Sequence, residues 1–397
     1  MSRSAAPARA APGPPRPAGR PAGRLRVLWA IKQLGPGGSE RLLASLAAGH
    51  DAGRFEIETV YLLRDHDELA PRLRDHGVIV RCLAVGTGID LRWLTRLRAV
   101  LLDGPPFDVL HVHSPLIAGF ARPLLASLPP ARRPALVVTE HGPWHHYQWP
   151  TRLLNLATLP VGAAHVAVSV ASRTSLPWPL RRRTEVVIHG VPVGELAPLR
   201  ADRAAVRAEL GVADDEVVVL TVANLRPEKD YPTLLAAAGE VARRRPNVRF
   251  LAAGGGRLEG DLRGRHRDLG LGAAFTFLGF RTDATRLMAG ADLFVLPSRE
   301  EGAPVTVAEA LALGLPIIAT RVGGVPDAVR HGVEGRIVAP GRPDELAAAI
   351  VELVDDRSAR ARLGAAAQAR SAAYDVAHTT RSLERIYERV AAPRVRS

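Results

Sequence analysis

The sequence predicts an α/β protein of two domains, each a parallel sheet with helices on both faces. Three features lead to that reading. At 397 residues the chain exceeds what one hydrophobic core comfortably serves. Short apolar runs recur along it with helical stretches between most of them, the alternation that crossover-connected parallel strands produce. Several runs end in glycine turns, where bare backbone can approach a ligand or another segment.

In chain order, Leu25 to Ile31 is the first strand-like run. The LGPGGSERLLASLAAG that follows places a glycine loop, Gly35 to Gly38, before a helix opening at Ser39, a geometry suited to a phosphate or a sugar edge. Further strands are predicted at Ile57 to Leu62, Val78 to Leu83, Val109 to Val112, Ala135 to Thr139 and His165 to Val168. Histidines collect at strand ends: His111 and His113 flank one, and His141 follows the next. Open α/β sheets bind ligands at the carboxyl ends of strands, although a lone histidine there is more often a structural hydrogen-bonding group. The segment Pro143 to Pro160 gathers Trp144, His145, His146, Tyr147 and Trp149 before a short apolar helix, and Trp178 stands beside Arg181, Arg182 and Arg183. Aromatic and basic residues in that mixture suit a membrane interface or a binding groove, and equally a packed loop with a solvated arginine run. The first half closes with a strand and a turn at Gly190, within Glu185 to Leu196.

The second half starts near Ala201. Val217 to Ala223 is a strand, and NLRPEKDYPTLLAAAGEV leads from it into a helix. Val248 to Ala253 runs into Gly254, Gly255 and Gly256, and FTFLGF brings Phe280 and Arg281 to another strand end. The organising stretch is Ala291 to Asp327: a strand (Leu293 to Leu296), a polar loop, a helix expected to open with Pro304 and run to Leu313, then a strand (Ile317 to Thr320) and a glycine turn. Proline at a helix start leaves no N–H unpaired, and the N–H groups of Val305 and Thr306 then point out of the helix end, where an anion is favoured. Glu301 lies just before that helix and Glu309 one turn inside it, on the face of Val305. Two carboxylates repel phosphate alone but suit a ligand that also carries hydroxyls, and a nucleotide sugar is such a ligand. Helices are expected at Arg342 to Leu353 and Val376 to Val390.

Ser298 to Pro316 reads S-x-x-E-G-x-P-x-x-x-x-E-A-x-A-x-G-x-P. That pattern, in strand–loop–helix context, resembles glycosyltransferase family 4, the retaining enzymes of the GT-B fold. The resemblance implies two Rossmann-like domains facing a cleft: residues 24–196 on the acceptor side, 197–375 binding the nucleotide-sugar donor, and 376–397 a helix crossing back to the first domain, after a basic Pro/Ala/Arg-rich arm over 1–23. It implies Glu301, His141 and Lys229 as catalytic residues, with Lys229 gripping the donor diphosphate and His141 near the transferring sugar. Gly37, Gly38, Asn224, Arg226, Gly255, Phe280, Arg281, Gly302, Val305, Thr306 and Glu309 complete the implied donor site, and His113, Trp144 and Tyr147 the acceptor side. The chain departs from the family pattern at Asn224, where an arginine is usual, and at His189 and Pro192, which replace the usual Asn and Asp. Arg226 is a candidate to supply the missing phosphate contact. Gly323, Gly324 and Asp327 continue the pattern, with Asp327 where Glu is common.

Lys32 and Lys229 are the only lysines among 53 cationic residues, so a retained lysine at 229 marks a place where a compact ammonium is needed. Asp65 and Asp67 form a D-x-D, the metal motif of the other glycosyltransferase fold, but within RDHDEL they read as a solvated turn, and no required metal or other cofactor is expected. The net charge of +13 suggests an anionic partner, either membrane phospholipid or substrate, whereas no nucleic-acid-binding signature accompanies it. A single cysteine, Cys82, excludes an internal disulfide, no apolar run reaches the ~20 residues that span a bilayer, and residues 1–23 lack the apolar core of a signal peptide. A cytoplasmic protein, at most peripheral to the inner face of the membrane, is expected. The expected partners are a nucleoside-diphosphate sugar and a lipid-linked or glycan acceptor of the cell envelope. Three other readings rank lower: a nucleotide-sugar 2-epimerase of the same fold, a non-catalytic glycan binder, and a basic nucleic-acid binder.

Overall fold

The computed structural model describes residues 23–35, 37–84, 90–159 and 163–395; the expected basic arm lies outside them except for Gly23. The first sheet contains β1 (Leu25–Ile31), β2 (Phe55–Tyr61), β3 (Ile79–Cys82), β4 (Val109–Val112), β5 (Ala135–Glu140), β6 (Ala163–Ala167) and β7 (Thr184–Val186). The second contains β8 (Val217–Val222), β9 (Val248–Ala253), β10 (Phe275–Gly279), β11 (Leu293–Leu296), β12 (Ile317–Thr320) and β13 (Gly335–Val338). Every pairing is parallel, in the orders β3-β2-β1-β4-β5-β6-β7 and β10-β9-β8-β11-β12-β13. The two Rossmann-like sheets are those the alternation predicts. The strand not foreseen is β13: GRIV is short and carries Arg336, so its apolar signal is weak.

Each order reverses once, between β1 and β4 and between β8 and β11. At such a switch point the connections leave on opposite faces and open a crevice at the strand ends. The loops that enter it are those after β1, β4, β8 and β11, which carry Gly37, His113, Lys229 and Glu301.

Four helices position the site. Helix α1 (Gly38–Gly49) follows β1, α2 (Trp149–Thr158) follows the aromatic segment, α3 (Val305–Ala312) follows β11, and α4 (Val376–Val395) closes the described chain. Pro304 is not the first residue of α3 but its cap: its ψ of 108° is extended, and its carbonyl accepts from the Val307 N–H. Helix α4 returns to the first sheet, burying Leu383, Ile386 and Tyr387 against Trp29, Phe55 and Val137. The turn at Gly190 makes that return possible. A Cβ there would stand 2.6 Å from the Asp375 backbone, and its N–H donates to Thr379 Oγ1 at 2.9 Å.

Candidate active site

Between the sheets lies a cavity of about 510 Å³. From the first domain it is lined by Gly37, Gly38, Arg41, Arg72, His141 and His189, and from the second by Asn224, Lys229, Phe280, Arg281, Glu301, Gly302, Val305 and Thr306. Most of the sequence-derived site is therefore gathered in one place.

Local structure explains how Lys229 arrives there. Pro227–Lys229 is a tight turn ended by Asp230 in the left-handed region, φ 46°, a conformation costing about 1–3 kcal/mol for a residue with a side chain. The buried Asp230 carboxylate offsets that cost by accepting from Thr233 Oγ1 at 2.7 Å and pairing with Arg299 at 2.9 Å. Lys229 Nζ then reaches Glu301 Oε1 at 2.5 Å, and Ser298 Oγ donates to the same oxygen at 2.6 Å. Glu301 is thus aimed by two neighbours. Beside it the first N–H groups of α3 have no intrahelical acceptor and line the cavity at Val305 and Thr306.

The domains meet closely around this pair. A Cβ on Gly302 would lie 2.0 Å from the His141 carbonyl oxygen, and one on Gly38 3.3 Å from Val305 Cγ2. Only glycine at 302 admits the first domain's backbone so near Glu301. Asp327 Oδ2 accepts from the Val170 N–H at 3.1 Å, a further tie between the domains. Glu309 is buried below the cavity wall. One of its oxygens pairs with Arg41 Nη2 at 2.8 Å and accepts from Thr285 at 3.1 Å, while the other has no hydrogen-bonding partner among the described residues. Burial raises its pKa, against the pull of Arg41 and Thr285.

The histidines form a row. Ring centroids of His111 and His113 are 4.0 Å apart, His113 and His141 5.3 Å, and His141 and His189 5.0 Å. His113 Nδ1 lies 3.1 Å from His141 Nε2, and His111 is bracketed by Tyr387 Oη at 2.6 Å and Thr139 Oγ1 at 2.7 Å. Burial holds all four neutral, His141 at about 4 and His111 at about 3, with His113 and His189 well below the ordinary value. His141 and His189 face the cavity; His113 stands behind them.

Other predicted residues sit elsewhere. Arg226 is exposed outside the cavity wall with Glu228 3.9 Å away, so it does not take the position that Asn224 leaves without an arginine. Gly255 lies behind the wall, where a Cβ would be 3.4 Å from Phe280 Cβ. Trp144 and Tyr147 are outside the cavity too. Trp144 is buried with Leu176 and Leu180, and the Tyr147 hydroxyl donates to buried Glu140 at 2.7 Å. Arg281 reaches the wall but is held by Asp283 and Glu209, both at 2.7 Å. Asp65 and Asp67 are exposed in a turn. Sequence reasoning missed Arg41 and Arg72, helix-borne arginines of the first domain with no local signal in an arginine-rich chain.

Comparisons with known proteins bear on the fold and the family. Residues 36–195 match the family model described as Glycosyltransferase Family 4, and residues 202–370 that of Glycosyl transferases group 1. A D-inositol 3-phosphate glycosyltransferase of Nocardia farcinica is 35% identical over 216 residues, which are 52% of this chain and 48% of that protein. A GDP-mannose-dependent monoacylated alpha-(1-6)-phosphatidylinositol monomannoside mannosyltransferase of Corynebacterium glutamicum is 33% identical over 188 residues, 45% of this chain and 49% of that one. The chain thus spans about half the length of these curated relatives. Among solved structures, Anabaena HepE in complex with UDP-glucose superposes with a TM-score of 0.79 at 22% identity, covering 91% of this chain and 99% of that one. The lipopolysaccharide glycosyltransferase WaaG superposes at 0.69 and 16% identity, covering 92% and 99%. These likenesses establish the GT-B fold. With its two halves matched by the two models and the Glu301–Glu309 motif at the switch point of the second sheet, the chain belongs to glycosyltransferase family 4.

Proposed function

We propose that the protein is a retaining glycosyltransferase that moves a sugar from a nucleoside-diphosphate sugar to a hydroxyl acceptor of a lipid-linked or glycan intermediate. The observation that carries this reading is the Lys229–Glu301 pair beside the bare N–H groups of α3, in a cavity at the switch points of both sheets. Relatives whose names state transfer to D-inositol 3-phosphate or from GDP-mannose, and a structural neighbour solved with UDP-glucose, support the donor class.

The chemistry follows from charge placement. As the bond from the sugar's anomeric carbon to the diphosphate oxygen breaks, negative charge collects on the diphosphate and positive charge on the sugar. Lys229 and the N–H groups of Val305 and Thr306 stabilise the first. Glu301 accepts hydrogen bonds from sugar hydroxyls and steadies the second from the face opposite departure. The acceptor hydroxyl enters from the departing side and gives its proton to the leaving phosphate oxygen, so the anomeric configuration is kept. Glu309, expected to hold ribose hydroxyls, is buried below the cavity wall and is proposed instead to brace α3 through its pair with Arg41. Lys229 and the α3 N–H groups are proposed to neutralise the diphosphate, and the reaction is proposed to need no metal.

The acceptor side is proposed to meet an anionic membrane. On α2, Trp149, Leu153 and Leu156 are spaced along one face, and Trp149 is 70% and Leu153 55% exposed. Trp178 is also exposed, at 61%, with the Arg182 guanidinium over its ring, 5.1 Å from the centroid. Among the described residues no helix is long and apolar enough to cross a membrane. Contact at the inner face, with the protein made and kept in the cytoplasm, fits these features.

The deciding assay supplies UDP- or GDP-linked sugars with membrane lipid extract and follows nucleotide release and label transfer. Acceptor-dependent transfer with retained configuration supports the proposal. An altered nucleotide sugar formed without acceptor points to an epimerase, and no turnover with any donor overturns the enzymatic reading.

A further inference from the structure

We propose that His145, His146 and Glu300 form a binding site for a transition-metal ion of the zinc class, which clasps the first domain to the loop of the second that carries Glu301. The three side chains offer ligand atoms that all lie within 4.8 Å of one another. Zinc holds imidazole nitrogen and carboxylate oxygen at roughly 2.0–2.2 Å, so tetrahedral ligands stand roughly 3.3 Å apart. His146 Nε2 and Glu300 Oε2 are 2.6 Å apart, and a small rotation of two exposed side chains admits an ion between them.

The backbone on both sides is already fixed, which is what a metal site needs and a chance surface cluster lacks. His145 and His146 sit in the short turn Trp144–His146. Buried Trp144 anchors it by packing and by its N–H to Ser175 Oγ at 2.8 Å, and Arg152 grips the His145 carbonyl at 2.7 Å. Glu300 lies between Arg299, paired with Asp230, and Glu301, paired with Lys229. Its place is therefore set by the residues that set the catalytic pair.

The donor set selects the ion. Two imidazoles with one carboxylate suit zinc, nickel or copper rather than magnesium or calcium, which prefer all-oxygen shells. A metal ion between them would take the place of the direct His146–Glu300 contact, with imidazole nitrogen and carboxylate oxygen as its ligands. Glu228 adds negative charge from the turn that carries Lys229. Such an ion would not touch the donor diphosphate. It would tie the cleft shut at its rim, coupling metal availability to the entry and release of ligands.

The test titrates the full chain, stripped with EDTA and desalted, with Zn(II) by calorimetry and with Co(II) by visible absorption. One saturable site per chain is expected. Its affinity should fall about tenfold or more in His146→Ala and in Glu300→Gln, and should be largely retained in His146→Cys, which keeps a zinc ligand. Mg(II) should not compete. Hydrogen exchange with Zn(II) should slow in residues 142–148 and 298–302 together. The absence of a saturable site, or unchanged affinity in both loss variants, would overturn the proposal. Protection confined to 142–148 would overturn the clasp.

Discussion

Arg41 Nη2 stands 2.8 Å from Glu309 Oε1, joining the first helix of one domain to the motif helix of the other. The guanidinium also donates to Thr285 Oγ1 at 2.9 Å, so one arginine braces two sites across the cleft. Glu309 is buried while Arg41 is about one-third exposed. Losing the arginine leaves a buried carboxyl without its cation. Arg41→Ala is expected to cost about 1–3 kcal/mol of unfolding free energy, less than a fully buried pair because water reaches one partner. Urea titration reads it, and an unchanged midpoint would show that the bridge does not brace the domains.

Lys229→Ala is expected to lower turnover by roughly 10² or more, the scale of removing a charge-stabilising group. Steady-state kinetics check this, and near-normal kcat would remove Lys229 from the mechanism. Glu301→Gln should leave nucleotide affinity nearly intact while reducing transfer. A parallel loss of plain nucleotide binding would assign Glu301 a different role.

Gly302→Ala places a methyl 2.0 Å from the His141 carbonyl oxygen, which the domains can relieve only by parting. Misplacing reacting groups by about an ångström costs up to about 10²-fold in rate. Turnover should drop on that scale while the nucleotide, held by the second domain, still binds. Equal loss of both would locate the damage in the fold of the loop instead.

Acid should destabilise the protein. His111, His113, His141, His165 and His189 have pKa values lowered by burial, His141 and His165 to about 4. The unfolded chain therefore binds more protons than the native one once pH falls below about 6.5, and stability declines from there towards pH 4. Glu140 and Glu309, whose burial raises their pKa values, act in the opposite direction but are fewer. Thermal melts from pH 8 to 5 should show a falling midpoint. His113→Asn should flatten the slope, and an equally steep slope in that variant would exclude the histidine row as its cause.

Double replacement of Trp149 and Leu153 by serine should weaken sedimentation with anionic vesicles several-fold and leave the melting temperature within a degree or two, because both side chains face solvent. Unchanged sedimentation would move membrane contact to another surface.

Much of this architecture is legible in the sequence, because buried parallel strands are continuous apolar runs and the motif carries its own spacing. Leu293–Leu296 and Ile317–Thr320 are delimited to the residue, and Lys229 and Glu301 fall into one cavity although they are 72 positions apart. What escapes is long-range or sterically decided. Arg41 carries no local mark of its partner on another domain. The aromatic segment reads as one surface, yet Trp144 turns inward to a small apolar cluster while Trp149 turns outward, a choice made by the turn at residues 144–146. Pro304 reads from the sequence as the first helical residue, and only its extended ψ shows it to be the cap.

A thermal-shift panel with UDP, GDP, ADP and their sugar conjugates, each with and without EDTA, tests the central claim most directly. A donor site of the kind proposed raises the midpoint by mass action for one nucleoside diphosphate over the others, the selectivity persists when EDTA is present, and the rise shrinks in Lys229→Ala. No stabilisation by any nucleotide, with a clear rise from a short oligonucleotide, would contradict the donor site and assign the +13 charge to nucleic acid.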